Sequence, residues 1–279
     1  MAVRVRCITD PACVWSWAAE PGVRALMVEF GDELEWTFVM GGLARELPAE
    51  GLVRPWLEAA GESGMPTDPR AWFEGPIGST YPACMAVKAA QEQGQEPGRR
   101  YLRALREGII ALRRKLDTTE ALVDEARSAG LDTERFRIDL SSHAIVEAFG
   151  RDLEEAREVP DPVAEAGAAR CSQPLGLERV PLPTFSFAGE GSDEPILVVG
   201  STPHRTLREA ALSAGARAGN GARPGVMDAL RRFGRMAIPE VAAVCDLPAP
   251  RAEAELAQLA LEWRVRPLPV LSDRLWEPA

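Results

Sequence analysis

The spacing of apolar residues changes several times along this chain, and each change marks an element. Val3 to Ile8 is a short β-branched run that alternates from its first residue and ends at Thr9-Asp10-Pro11, which predicts a strand and then a turn. From Cys13 to Phe30 the apolar positions Trp17, Val23, Leu26, Met27 and Phe30 fall at helical spacing. Pro21 lies inside that stretch, removes one backbone donor and predicts a kink. Gly31-Asp32 stops the helix. Leu34 to Met40 predicts a second strand, closed by Gly41-Gly42. Residues 3–42 therefore read strand–helix–strand, the opening unit of an α/β fold.

From about residue 51 to 158 the pattern is helical throughout, punctuated by Gly and Pro. Helices are predicted over Val53–Ala60, Asp68–Phe73, Ser79–Gln93 and Arg99–Leu116. Pro82 falls in the first turn of the third, where proline is tolerated. Thr118-Thr119-Glu120 could cap a helix to Ala129, Asp132 starts one to Leu140, and Ser141-Ser142 precedes a last one reaching Glu158. Pro160 to Leu177 is rich in Pro, Gly and Ala and reads as a loop. Arg179–Ala188 and Pro195–Val199 read as strands joined by a Gly-rich turn, and Thr202–Ala214 as a helix. Residues 215–225 hold four Gly and one Pro and read as a linker. Beyond it come helices over Val226–Phe233, Ile238–Val244 and Arg251–Trp263, then an alternating Val265–Trp276 that could form a two-stranded ribbon. That order is the order of a winged helix-turn-helix.

Composition narrows the class. The chain has 279 residues, 46% hydrophobic and 27% charged, with a formal net charge of −10, which is ordinary for a globular protein with a sizeable core. An acidic chain repels nucleic acid unless a local basic patch overrides the average. Residues 220–279 carry eight arginines and eight acids, so the tail shows no basic excess and reads as a protein-contact or domain-capping module rather than a DNA reader. Absence of a long apolar run argues against a membrane span, and the alternating N-terminus does not look like a signal peptide, so a cytoplasmic protein is expected. Five scattered cysteines (7, 13, 84, 171 and 245) and two histidines (143 and 204) fit neither a disulfide framework nor a zinc site.

The informative segment is Thr9-Asp10-Pro11-Ala12-Cys13-Val14-Trp15-Ser16-Trp17. A cysteine in the first turn of a helix, directly after a strand, meets unpaired N–H groups and the positive end of the helix dipole, which lower a thiol pKa. This segment resembles the DsbA-like thioredoxin family, which reads D-P-x-C-x-W-C here; the wider group includes 2-hydroxychromene-2-carboxylate isomerases and kappa-class glutathione transferases. Val39-Met40-Gly41-Gly42-Leu43, the helical block, Pro82-Ala83-Cys84 and Leu182-Pro183-Thr184-Phe185 extend the resemblance over residues 3 to 214. It implies an α/β thioredoxin-like fold with a large helical insertion: a core from residues 1–50 and 178–214, an insertion and loop over 51–177, a linker over 215–225 and a small winged-helix-like domain over 226–279. It also implies a cis-proline at Pro183, with Pro181 as a rival, placing the Leu182 backbone opposite Cys13.

The departure from the family is Ser16, which stands where the second cysteine would be. Serine can hydrogen-bond a thiolate but cannot resolve a mixed disulfide. Three readings follow. Cys13 forms mixed disulfides, with protein or small-thiol substrates, that an external thiol resolves. Or Cys13 helps hold a thiol cofactor such as glutathione or mycothiol for isomerase or transferase chemistry. Or redox function is lost and the cleft binds protein. On the first, main reading Cys13 is the nucleophile, Ser16 the thiolate-stabilising donor, and Leu182 with Pro183 the substrate platform. Asp10 and Pro11 then shape the approach, Trp15 lines the groove, and Cys171 is a candidate distant resolving thiol. The plainer alternative makes Cys13 a buried small hydrophobe. Cys7, Cys84, Cys245 and Trp17 read as core. His143, His204 and the Arg113-Arg114-Lys115 cluster read as solvated surface.

Overall fold

Val3, Val5 and Cys7 point inward and Arg4 and Arg6 outward along β1 (Val3–Thr9), so the opening alternation does become a strand buried on one side. The computed structural model describes residues 2–47, 51–158, 179–191, 194–219 and 221–279. β1 runs parallel to β2 (Leu34–Met40) and antiparallel to β3 (Thr184–Ala188), which pairs antiparallel with β4 (Ile196–Val199). The sheet order is β2-β1-β3-β4.

The link between β1 and β2 departs from the expected single kinked helix. It is two helices, α1 (Val14–Ala18) and α2 (Glu20–Phe30). Pro21 has no N–H to give the Trp17 carbonyl, so the ladder breaks there and Pro21 becomes an early residue of a new helix, where no donor is required.

The inserted block holds α3 (Val53–Ser63), α4 (Ala71–Glu74), α5 (Tyr81–Gln91), α6 (Gln95–Arg106), α7 (Thr119–Ser128), α8 (Thr133–Leu140) and α9 (His143–Arg157). The expected caps close on their helices: Thr118 accepts from Ala121 N–H, Asp132 from Glu134 and Arg135, Ser142 from Ala144. The helix expected to reach Leu116 does not. After Arg106 it opens into a wide turn over Glu107–Ala111 and doubles back so tightly that a Cβ on Gly108 would lie 2.7 Å from Leu116 Cδ1. Arg113-Arg114-Lys115 therefore sits in a turn rather than on a helix face. Arg113 pairs with Asp68 and Glu74, and Arg114 with Glu125. The strand expected from Arg179 starts only at Thr184, because prolines at 181 and 183 withhold the donors a ladder needs. Helix α10 (His204–Ser213) follows the sheet. His204 is not free surface: it lies half-buried, 3.3 Å from Glu29. The presumed loop over 160–177 lies outside the described residues.

The tail forms α11 (Val226–Phe233), α12 (Ile238–Cys245), α13 (Ala249–Leu261) and an antiparallel ribbon, β5 (Val265–Pro269) and β6 (Arg274–Pro278). Val226, Leu230, Val241, Val244, Leu256 and Trp276 make a small core of its own. Ala237, Val270 and Leu275 instead join the main core. The connection is tied down as well: Gly219 N–H donates to the Glu29 carbonyl, and Arg223 reaches the Ala25 carbonyl and the Glu29 carboxylate.

Ion pairs fasten tail to sheet domain. Glu240 of α12 is fully buried, with Oε1 3.2 Å from Arg24 of α2 and 3.0 Å from Arg103 of α6. Glu20 faces Arg24, Arg103 and Arg106, and Arg106 also donates to Thr9 at the end of β1. Burial by itself would raise the Glu20 pKa, but Arg106, Arg103 and Arg24 outweigh it and hold the carboxyl at about 2.

Removing one partner of such a set strands buried charge. Glu240→Ala is expected to cost about 3–5 kcal/mol of unfolding free energy, measured by urea denaturation. The acid dependence has a definite sign. Since the folded pKa of Glu20 lies below its ordinary value of 4.5, its contribution is intact above that value and is lost as pH falls toward about 2. Urea midpoints measured through this window should fall, and should fall less in Arg106→Met.

Candidate functional site around Cys13

Cys13 occupies the N-cap position of α1, with extended backbone. Its Sγ lies 3.6 Å from the Leu182 carbonyl oxygen, and the Leu182–Pro183 peptide is cis. The structure thus brings Cys13, Ser16, Leu182 and Pro183 to one place, with Trp15 half-buried against the apolar cluster of Ile8, Val39, Val180 and Leu182. Cys171 lies outside the described residues.

The thiol is buried, with 4% of its surface exposed. Burial pushes its pKa up, and the Asp10 carboxylate adds to the rise. Against this, the hydroxyl and backbone N–H of Ser16 and the charge of Arg179 favour the thiolate. The net shift is upward, against the expectation drawn from the helix N-terminus, and burial is its largest cause. The contact with Leu182 works in the same direction, because a thiol can donate to a carbonyl while a thiolate would face its oxygen. Ser16 Oγ is buried with no other hydrogen-bond partner, which leaves its hydroxyl for Cys13.

Asp10 plays a different part from the one expected. It is fully buried, and its carboxylate accepts from Ala12 N–H at 2.7 Å, Leu43 N–H at 2.6 Å, Thr80 Oγ1 at 2.8 Å and the Cys84 thiol at 3.3 Å. It joins the Cys13 turn, the exit of β2 and the start of α5, and presents nothing to a substrate. Pro11 is buried too. Gly42 allows the β2 exit to reach Asp10: it has φ of +58°, and a Cβ there would stand 2.5 Å from Leu153 Cδ2. The signal for this hub is in the sequence, as an Asp three residues before the cysteine and a Thr at the start of a later helix, but their meeting is tertiary.

The other described thiols are poor resolving groups. Burial pushes Cys7 up to about 12 and Cys245 up to about 11, and burial with the nearby Asp10 charge holds Cys84 well above the thiol range. No cluster of potential metal ligands occurs among the described residues, and none of their helices is long and apolar enough to cross a membrane. The arrangement offers a buried thiol with a raised pKa beside a stabilising hydroxyl.

Iodoacetamide alkylation of Cys13 should accordingly be slow at neutral pH and rise only above the free-thiol range of about 8.5, with Ser16→Ala moving the rise further upward. A reactive plateau below pH 7 would overturn this description.

A thioredoxin family model matches residues 7–160, more than half the chain. The ClpXP adapter protein SpxH of Halalkalibacterium halodurans is 29% identical over 96% of this chain and 86% of its own length. Two solved structures share the fold. A probable DsbA oxidoreductase from Streptomyces coelicolor has a TM-score of 0.56 at 21% identity, over 78% of this chain and 93% of its own. The cytosolic disulfide reductase DsbM of Pseudomonas aeruginosa has a TM-score of 0.55 at 20% identity, over 75% and 98%. Matched almost completely themselves, these two structures leave about a quarter of this chain unmatched, whereas the adapter spans nearly all of it, tail included. The chain belongs to the thioredoxin family, with the fold of its DsbA-like members.

Proposed function

We propose that this protein is an adapter that binds another protein through its thioredoxin-fold surface and brings it to a ClpXP-type protease, rather than a catalyst of disulfide exchange. The observation that carries the reading is the setting of Cys13: a buried thiol whose pKa burial raises, with a serine at the resolving position. A thiol–disulfide enzyme needs an accessible thiolate and a second thiol to release its product. This site is poor in the first and has Ser16 in place of the second. The relation to the SpxH adapter, which spans nearly all of this chain where the two oxidoreductase structures leave about a quarter unmatched, supports the same reading.

Monothiol exchange is the second reading, favoured by the Ser16 hydroxyl and the Leu182 carbonyl beside the sulfur. On it, Cys13 forms a mixed disulfide with a protein or small thiol, and external glutathione or mycothiol resolves it. The same thiols would be the cofactor of the isomerase or transferase alternative.

The two readings separate in cells carrying a proteolytically inactive ClpP trap. Adapter function predicts that deleting this protein removes specific proteins from the trapped set, that those proteins live several-fold longer in cells with active protease, and that Cys13→Ser restores both. An unchanged trapped set on deletion overturns the adapter reading. Failure of a folded Cys13→Ser protein to restore capture favours the mixed disulfide.

A further inference from the structure

A cavity of about 700 Å³ opens on the side of the molecule between α2, α6, α7 and the tail. Its size lies in the range of sites that hold small molecules, about 300–1,000 Å³. Its wall is unusual for a chain of net charge −10: ten arginines and only five glutamates line it. No function described so far uses it.

Part of this charge is structural. Arg24, Arg103, Arg106 and Arg235 are taken by Glu20, Glu107, Glu240 and Glu277, the pairs that hold the tail in place. Arg114, Arg266 and Arg99 pair with Glu125, Glu277 and Glu96. Asp228 lies outside the wall and pairs with Arg231. Even with Glu240 and Asp228 counted among the acids, three positive charges remain unmatched. Arg100 has no hydrogen-bond or ionic partner among the described residues. Arg232 reaches only the Met27 carbonyl, at 3.4 Å, and the Phe233 ring. Phe233 lies within 6 Å of three guanidinium groups, those of Arg24, Arg99 and Arg232. Like charges crowded round one ring repel, and the neighbouring Arg103 contributes to holding the Arg24 pKa down at about 10, after the larger effect of burial. A multiply charged anion would relieve this crowding.

We propose that this cavity binds a compact polyanion bearing clustered phosphate groups. Guanidinium forks match phosphate oxygens in pairs, and ten of them line this wall. Since both the sheet domain and the tail supply the wall, the ligand would bridge them and stabilise their docking. The Cys13 cleft shares none of these lining residues, so the proposal stands or falls separately from adapter function.

Calorimetric titration of the full-length protein with inorganic tripolyphosphate, at constant ionic strength, tests it. Saturable one-site binding is expected. Arg100→Glu and Arg232→Glu, both at exposed side chains, should each weaken it at least tenfold while leaving ligand-free thermal unfolding in place. Arg205→Glu, on α10 outside the cavity, should not weaken it. Adenosine triphosphate binding more tightly than tripolyphosphate supports the proposal and assigns a nucleotide; equal binding supports it and assigns the phosphate chain alone. Absence of saturable binding, equal weakening by all three variants, or a preference for citrate over tripolyphosphate overturns it.

Discussion

The ion pairs at Glu20 and Glu240 are the constraint on which the assembly of this protein rests. Two carboxylates and three guanidinium groups from α2, α6 and α12 are removed from water together. Charges in such a place are tolerated only when every partner is present. The tail therefore docks in one register, and α2, which starts directly after the cysteine-bearing α1, is fixed on both sides. Arg103 also stacks over the Trp17 ring at 4.1 Å, so the same network reaches the helix that positions Cys13.

Asp10 does for the thiol site what Glu240 does for the tail. Its four internal hydrogen bonds set the geometry of the turn before Cys13 at the cost of leaving a negative charge beside the sulfur. The same Asp stands in the D-P-x-C-x-W-C motif that this segment resembles, so the charge does not by itself separate this site from a dithiol one. Here it accompanies a buried thiol whose pKa is raised, and structural rigidity is compatible with a binding surface.

Legibility in the sequence followed the range of the interaction. Elements set by local pattern or capping came through: the strand at Val3, the caps at Thr118, Asp132 and Ser142, and the helix over Val226–Phe233. Pro183 and Ser16 were readable because a resemblance supplied their context. The misreadings were tertiary. The rise in the Cys13 pKa depends on burial by distant elements, which no dipole argument at one helix end can supply. Beyond Arg106 the chain doubles back so that Leu116 lies against Gly108, a contact that no local pattern foretells. Arg99, Arg103 and Arg106 stand one turn apart on α6 and could have been noticed as a stripe, yet only the partners from Glu20 and Glu240 reveal which are structural.

The stretch over 215–225 invites a cut, being rich in glycine and exposed in pattern. Yet dividing the chain there would separate Glu240 from Arg24 and Arg103, and leave each fragment with a solvent-facing scar of half-neutralised charge and apolar surface. Gene fragments built on the apparent boundary would thus inherit problems of solubility that neither half has in the whole. The protein is modular in its sequence and indivisible in its electrostatics.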